Sequence, residues 1–270
     1  MTCRNRGILR ASALAVLLVA ASAAPADAQD VMSSDRPRFT ERTLSVAPGT
    51  LQLEAGYTFA RFGELDSHRL GEALLRFGVI PGLELRVGLP SFITANADVG
   101  LVEVDESGFG DAHLGMKLGL YESGLAEGLP SVALLLGTGV PTGDDDLPLS
   151  AESWEPEAKL ALAWSFTERL GLGVNVNYAQ RDPEFVARYD EWAASVALDL
   201  PLTARLSGFG EYFAIRPEFE GGGVAQRDYL AGGATWLLTP DLQLDAHIGL
   251  GVDSPVEDDF FFGVGLATRF

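Results

Sequence analysis

The chain has 270 residues, of which 47% are hydrophobic and 21% are charged, and its formal net charge is −19. This hydrophobic content excludes a disordered chain, and the acidic balance argues against a nucleic-acid partner, because neutralising phosphates requires an excess of Lys and Arg. The only cysteine is Cys3, so no intrachain disulfide or thiolate metal site is available.

The first 28 residues have the features of a secretory signal peptide. Three arginines precede an uncharged stretch at 11–24, and a small-x-small cleavage site follows at Ala26–Ala28. The apolar stretch is shorter than the roughly 20 residues that a helix needs to span hydrocarbon, so we expect cleavage after Ala28 rather than an uncleaved anchor. Later in the chain, no apolar run approaches that length, which argues against a helical span in the mature protein.

Segment 29–49 has mixed charge and precedes the first predicted strand. We expect it to lie at the periplasmic rim or to contact the lumen of the barrel predicted below, as a partial plug. In the lumen its arginines, Arg36, Arg38 and Arg42, would meet carboxylates of the wall, namely Glu54, Glu84, Glu211 and Asp245.

From Thr50 onward the sequence alternates apolar and polar residues, which is the period of a β-strand. In the first segment Leu51 and Leu53 lie on one face, and Gln52 and Glu54 lie on the other. A tilted strand needs about 9–11 residues to cross a bilayer, and most of the segments reach that length. The pattern predicts twelve strands, at about 50–61, 68–79, 83–93, 109–121, 130–140, 156–166, 170–180, 190–200, 204–215, 227–238, 242–252 and 259–270.

The connections between predicted strands alternate in length. Tight turns follow even-numbered strands, at 80–82, 167–169, 201–203 and 239–241, and longer polar loops follow odd-numbered ones, at 94–108, 141–155, 181–189 and 216–226. We call the two sides the short-turn rim and the long-loop rim. This arrangement is typical of an outer-membrane barrel with both termini in the periplasm.

The polar faces of the strands carry charged residues and two histidines. In a membrane barrel these side chains face the lumen and the apolar faces contact lipid, although a soluble sandwich also has a polar face in water. The predicted lumen-lining residues are Glu54, Arg76, Glu84, Arg86, His113, Lys117, Lys159, Asp199, Glu211, Asp245 and His247.

Aromatic residues of the apolar faces gather near the strand ends, where amphipathic rings favour the two membrane interfaces. The predicted girdles contain Tyr57, Phe59, Trp164, Phe166, Tyr178, Trp192, Tyr212, Trp236, Phe260 and Phe270. Because hydrocarbon supplies no water to unpaired backbone groups, a spanning sheet must close. The sequence therefore predicts an all-β fold, a transmembrane antiparallel up-and-down β-barrel of about twelve strands over 50–270.

Several motifs occur in an order that resembles a known family. They are Ser34–Glu41, Pro48–Tyr57, Leu75–Gly78, Leu83–Arg86, Gly108–Asp111, Pro141–Asp144, Leu238–Asp245 and Arg269–Phe270. Together they resemble outer-membrane transporters described by the phrase "MetA-pathway of phenol degradation", over roughly 34–270. The resemblance implies an outer-membrane barrel that admits aromatic or other small apolar compounds. The closing strand, which ends at Phe270, also resembles the signal that the barrel-assembly machinery recognises.

These features predict a passive conduit for small molecules in the outer membrane, in contact with lipid and lipopolysaccharide. The alternatives are a sealed structural or surface-interaction barrel and, as the weaker candidate, a barrel-type hydrolase. His68, His113 and His247 lack the spacing of metal ligands, and no serine nucleophile lies beside a base, so no catalytic, metal or cofactor site is predicted. The acidic clusters at 144–146 and 257–259 could bridge cations to lipopolysaccharide phosphates, but solvated loops are the simpler interpretation.

Overall fold

The computed structural model describes residues 32–99, 102–125, 128–144, 150–167, 170–183, 187–221, 223–252 and 259–270. The predicted signal peptide at 1–28 and most of the two acidic clusters lie outside these residues. Within them, no helix is long and apolar enough to span a membrane.

The described residues form β-strands that belong to one sheet. Each strand contains alternating residues whose side chains point to opposite sides, as the sequence pattern predicted. The strands are β1 Leu51–Phe62, β2 Leu65–Leu70, β3 Leu74–Ile80, β4 Leu83–Gly88, β5 Phe92–Val99, β6 Val102–Phe109, β7 Ala112–Tyr121, β8 Ser131–Val140, β9 Glu155–Thr167, β10 Leu170–Arg181, β11 Tyr189–Pro201, β12 Leu206–Phe219, β13 Gly223–Val224, β14 Arg227–Thr239, β15 Leu242–Gly251 and β16 Phe260–Arg269.

The sheet closes on itself, because β16 pairs antiparallel with β1 from Gln52 opposite Arg269 to Arg61 opposite Phe260. Ignoring the two-residue β13, the described strands amount to twelve antiparallel crossings of the wall. Three crossings are each divided into two strands, β2 with β3, β4 with β5, and β6 with β7. The predicted twelve-stranded transmembrane barrel is confirmed.

The divided crossings break where the backbone cannot continue the ladder. Gly71 has a φ of +76°, in the left-handed region that favours glycine, and its N–H and that of Glu72 both donate to the carbonyl of Gly56. One extra residue therefore interrupts the register between β2 and β3. Pro90 separates β4 from β5 and has no N–H to donate to a neighbouring strand.

The prediction of a long loop at 94–108 was wrong, because strands β5 and β6 occupy most of this range and pair with each other. The sequence does alternate here, since Ile93, Ala95, Ala97 and Val99 are separated by polar residues, so the strand signal was present and was overlooked. Among the described residues, the other edge of β6 pairs with no strand.

The distribution of polar and apolar side chains in the barrel is the reverse of that in a soluble protein. Its largest fully buried side chains are polar or charged, namely Arg76, Lys117, Gln52, Glu54, Glu84, Asn175 and Thr40. Many large apolar side chains on the outer face are instead exposed, including Leu114, Leu160, Val196, Leu230, Ile248 and Val264. Such a distribution suits a wall whose outer face contacts lipid.

The predicted girdle residues differ in their exposure. Phe166, Trp192, Tyr212, Trp236 and Phe270 are exposed. Tyr57, Trp164, Tyr178 and Phe260 are half-buried. Phe59 is instead buried, because it packs against the rings of Phe260, Phe262 and His68.

The three tyrosines of the predicted girdles are hydrogen-bonded or lie within hydrogen-bond distance of a partner. Tyr178 donates to Asp190 at 2.9 Å between oxygens, and Tyr212 donates to Asp228 at 2.6 Å. The hydroxyl of Tyr57 lies 2.7 Å from Nδ1 of His68. These contacts fix the polar ends of the rings, as is common for aromatic residues at an interface.

Candidate functional site: the filled lumen

Residues 32–49, which we call the plug, lie inside the barrel. Although the plug contains almost no regular secondary structure, Asp35 is 5% exposed, Thr40 is 1% exposed and Val46 is 7% exposed. The plug contacts strands on opposite sides of the wall, from Glu54 on β1 to Glu211 on β12. It therefore occupies the lumen rather than lying along one rim.

Glutamates of the wall hold the backbone of the plug. Glu54 accepts hydrogen bonds from the N–H groups of Asp35 and Arg36, at 3.2 and 3.0 Å. Glu211 accepts from the N–H groups of Phe39 and Thr40, both at 3.0 Å.

Glu84 acts in the same way and accepts from the N–H of Val46 at 2.8 Å. Because a buried irregular segment has no ladder to satisfy its N–H groups, these carboxylates replace the partners that a sheet would supply.

The carboxylate of Asp35 is surrounded by three cations of the wall. Its oxygens lie 3.3 Å from Nη1 of Arg76, 2.7 Å from Nη1 of Arg86 and 2.8 Å from Nζ of Lys117. Burial alone would raise the pKa of Asp35, but Arg76, Lys117 and Arg86 outweigh it and hold the pKa well below its usual value. Asp35 is therefore ionised whenever the plug is docked near neutral pH.

Arg76 joins this cluster to the carboxylates that hold the plug backbone. It donates to Glu54 at 2.7 Å and to Glu84 at 2.7 and 2.9 Å. The side chain of Arg76 is fully buried and shielded from water, so these carboxylates must stabilise its positive charge.

Ion pairs with the wall also hold the middle of the plug, at residues 38–42. Arg38 and Arg42 both contact Asp199, at 2.8 and 3.3 Å. Glu41 pairs with Lys159 and, at 2.9 Å, with Arg86. Burial would raise the pKa of Glu41, but Arg86 and Lys159 outweigh it and lower the pKa.

The observed partners of the plug arginines agree with the expected ones only at Asp245. Arg36 lies 3.6 Å from Asp245 and 3.2 Å from Glu72, whereas Arg38 and Arg42 meet Asp199. The other three carboxylates expected to receive arginines, Glu54, Glu84 and Glu211, receive backbone N–H groups of the plug.

Inward glycines provide space for the plug. At Gly56 an added Cβ would lie 2.1 Å from Nη2 of Arg36, and at Gly265 it would lie 2.5 Å from Nε of the same residue. At Gly78 an added Cβ would lie 2.0 Å from the carbonyl oxygen of Ala47. Side chains at these positions would occupy the volume that the plug now fills.

All eleven predicted lumen-lining residues lie on the inner side of the wall, but they do not line one open channel. Glu54, Arg76, Glu84, Arg86, Lys117 and Glu211 are buried against the plug. Lys159, Asp199 and Asp245 contact the plug from its sides. His113 instead pairs with Glu157 at 2.9 Å, and His247 lines a cavity described next.

The plug separates two cavities. The outer cavity, of about 400 Å³, lies toward the long-loop rim and is bordered by Thr58, Ser67, Phe213 and Phe261. The inner cavity, of about 270 Å³, lies toward the short-turn rim and is bordered by Leu44, Ser123, Ser131 and Gly171. One cavity thus lies on each side of the plug, and Arg38 and Glu41 of the plug line both.

The sequence interpretation missed a group of aromatic residues on the inner face. Phe209, Phe213 and Tyr229 are buried, and Phe261 is half-buried. The signal was available, because Phe209 and Phe213 share the face of Glu211 in an alternating strand, and Phe261 shares that of Gly263.

The histidines do not form a metal centre in the described part of the chain, where no three His, Cys, Asp or Glu residues are placed to bind a metal ion. His68 contacts Tyr57 on the outer face, and His113 contacts Glu157 on the inner face.

Comparisons with known proteins agree with the barrel. The COG4313 outer membrane channel from Pseudomonas putida F1 has a similar structure, with a TM-score of 0.64 and 15% identity over 84% of this chain and 98% of that one. NanC porin is also similar, with a TM-score of 0.53 and 11% identity over 82% of this chain and 100% of that one. No curated protein sequence matches the chain. A family match extends over residues 34–270, and the chain therefore belongs to the family described as "Putative MetA-pathway of phenol degradation".

Proposed function

We propose that this protein is a channel for small molecules across the outer membrane, and that the plug closes it in the conformation described here. One observation carries the proposal: the lumen is lined by charged residues and filled by a segment that ion pairs and hydrogen bonds hold, with a cavity on each side. Polar contacts can be exchanged for water when the plug moves, whereas a barrel filled by apolar packing has no such alternative.

The comparisons support this proposal. The similar structures are named as a channel and a porin, and the family is named for phenol degradation. We infer that the solutes are small and that aromatic compounds are among them.

The proposal includes the cellular location. Residues 1–28 would direct export and be removed, and residues 50–270 would insert with both termini in the periplasm. The partners would be outer-membrane lipid, lipopolysaccharide at the long-loop rim, and the barrel-assembly machinery at the strand ending in Phe270.

A sealed structural barrel is the second candidate, and the cluster around Arg76 favours it. Asp35 of the plug pairs with Arg76, Arg86 and Lys117, which are all buried, so withdrawing the plug removes a carboxylate from three buried cations. Breaking a buried ion pair by removing one partner costs about 3–5 kcal/mol. A plug held in this way could stay in place permanently.

Single-channel conductance in planar bilayers separates the two candidates. The proteins compared are the mature chain and a variant that lacks residues 32–47, with Asp241→Asn at the short-turn rim as a matched control. Folding of each is checked by circular dichroism and by heat-dependent electrophoretic mobility. We expect large, frequent current steps from the deletion variant, and rare steps from the mature chain and the control.

Liposome swelling extends the test to uncharged aromatic solutes such as phenol. If the deletion variant is folded but neither conducts ions nor passes these solutes, the channel proposal is wrong and the sealed barrel is the better description.

A further inference from the structure

The outer cavity has an aromatic wall, which distinguishes it from the charged remainder of the lumen. Phe39 of the plug stacks on Phe213 of β12, with ring centroids 4.4 Å apart and planes 8° apart. Phe213 in turn stacks on Tyr229 of β14 at 4.8 Å, and Tyr229 meets the ring of Phe261 of β16 at 5.8 Å.

The strands provide space for this series of rings. Phe213 and Tyr229 are directly opposite each other in the ladder between β12 and β14. The ring of Phe261 lies over Gly249 of β15, where an added Cβ would be 2.0 Å from the ring. A residue larger than glycine at 249 would displace this ring.

Part of this aromatic surface faces open space. Phe39, Phe213, Phe261 and His247 all line the outer cavity, and Phe39 and Phe261 are only half-buried. A planar ligand in the cavity can therefore contact ring faces or edges that the protein leaves uncovered.

The same cavity contains a guanidinium group without a partner. Arg69 of β2 lines the cavity, is exposed, and has no hydrogen bond or ion pair to any described residue. Nε of Arg36, at the base of the cavity, is buried and likewise has no hydrogen-bond partner in the described chain.

The other charged groups that line the cavity already have partners. Arg86 pairs with Asp35 and Glu41. Arg38 is paired with Asp199 and Glu72 with Arg36.

The remaining carboxylates are also satisfied. Glu54 receives Arg76, and both oxygens of Glu211 accept N–H groups of the plug. What the cavity leaves available is therefore aromatic surface together with the guanidinium of Arg69.

We propose that the outer cavity binds an aromatic carboxylate, with its ring against Phe39 and Phe261 and its carboxylate on Arg69. A guanidinium and a carboxylate form paired, charge-assisted hydrogen bonds, and aromatic rings favour offset or edge contacts with the ligand ring. The cavity volume of about 400 Å³ is within the usual range for small-molecule sites. This proposal rests on the proposed function, since the site would be the entry point of the channel. It adds that the entering solutes are aromatic carboxylates.

The test measures binding directly and does not depend on transport. Isothermal titration calorimetry with the full mature chain in detergent would use benzoate as the ligand. Cyclohexanecarboxylate lacks the aromatic ring, benzyl alcohol lacks the charge and benzylammonium reverses it, so these three probe each requirement separately. We expect benzoate to bind at least tenfold more tightly than any of the three.

Two variants locate the site. We expect Arg69→Ala to weaken benzoate binding at least tenfold, and Phe261→Leu to reduce the preference for benzoate over cyclohexanecarboxylate. Arg205→Ala is the matched control, because Arg205 is also exposed but lies in the turn between β11 and β12 at the opposite rim. The control should bind benzoate as the unaltered chain does.

Several results would overturn the proposal. They are unchanged benzoate binding in Arg69→Ala, equal binding of benzoate and cyclohexanecarboxylate, or a preference for benzylammonium. Conductance of the deletion variant, together with no benzoate binding by the full mature chain, would leave the channel in place and reject the site. Benzoate binding that follows the expected pattern, without conductance or solute passage in any folded variant, would support the site and reject the channel.

Discussion

Asp35 contributes one carboxylate to a cluster of three cations, although it belongs to a segment with almost no regular secondary structure. Arg76, Arg86 and Lys117 come from three different strands, β3, β4 and β7, and they converge on this side chain. Their like charges repel one another, and Asp35 offsets this repulsion together with Glu54 and Glu84. One plug residue thus contributes to the charge balance of the inner wall.

Replacing Asp35 by Asn should loosen the plug. The three cations would lose their shared partner in a buried site, so we expect docking to weaken by about 3–5 kcal/mol. Trypsin cleavage in the plug, followed by mass spectrometry, measures this change. Asp241→Asn is the control, since Asp241 is exposed at the rim and its pair with Arg269 contributes about 0–1 kcal/mol. Equal cleavage rates in the two variants would contradict the role given to Asp35.

Docking of the plug should also depend on pH in a defined direction. The pKa of Asp35 is lowered in the docked state, so its stabilising contribution is complete above the pKa of the free carboxyl, about 3.9, and is lost as the pH falls further through the docked value. We therefore expect the plug to stay docked from neutral pH down to about pH 4 and to loosen only below it.

A fluorescent label measures this transition. Because Cys3 is the only cysteine and precedes the expected cleavage site, Leu44→Cys gives the mature chain a single labelling position. The label should report undocking in strong acid, and Asp35→Asn should reduce the part of the transition that depends on this group. Undocking between pH 5 and 8 would mean that a different group controls the plug.

At the scale of elements, the strands were predictable where one face contacts lipid. The predicted segments 170–180 and 242–252 correspond to β10 and β15 within one residue at either end. The hairpin of β5 and β6 was predictable by the same rule, because 93–99 alternates apolar and polar residues, but the segment was interpreted as a polar loop.

The path of the plug could not be predicted in this way. The residues of the plug follow no period, and their partners belong to strands that are far away in the sequence. The alternation of the strands predicted which wall residues point inward, but it could not predict which plug residues they contact. Glu54 and Glu84 illustrate this: alternation placed them inward, but only the fold shows that they accept backbone N–H groups.

Replacing Gly78 of β3 by Ala should displace the end of the plug. An added Cβ would lie 2.0 Å from the carbonyl oxygen of Ala47 and 2.5 Å from that of Val46, and backbone atoms cannot rotate away as a side chain can. We expect docking to weaken by about 1–3 kcal/mol, measured with the same trypsin assay. Gly210→Ala is the matched control, because an added Cβ there meets no atom within 4 Å. A plug as resistant in Gly78→Ala as in this control would show that the contact does not restrain it.

At the scale of the whole molecule, the outer face of the barrel is apolar, so we expect contact with lipid rather than with water to stabilise the fold. Val264, in the middle of β16, is 52% exposed on the outer face. Replacing it by Arg should destabilise the barrel by about 2–4 kcal/mol in a bilayer. Urea titration of folding into lipid vesicles measures the difference.

Leu202→Arg provides the comparison for this prediction. Leu202 is 62% exposed but lies in the turn after β11, near the membrane boundary, where an added Arg costs about 0–1 kcal/mol. Equal destabilisation by the two substitutions would contradict the assignment of the outer face to lipid.

The seam between β1 and β16 joins the two ends of the chain, and one plug residue touches both sides of it. The guanidinium of Arg36 lies against Gly56 of β1 and donates to the carbonyl of Val264 on β16 at 3.3 Å. One guanidinium thus bridges the first and last strands of the cylinder. Withdrawing the plug would therefore also remove a contact that holds this seam together, so the position of the leading segment and the strength of the barrel closure are coupled.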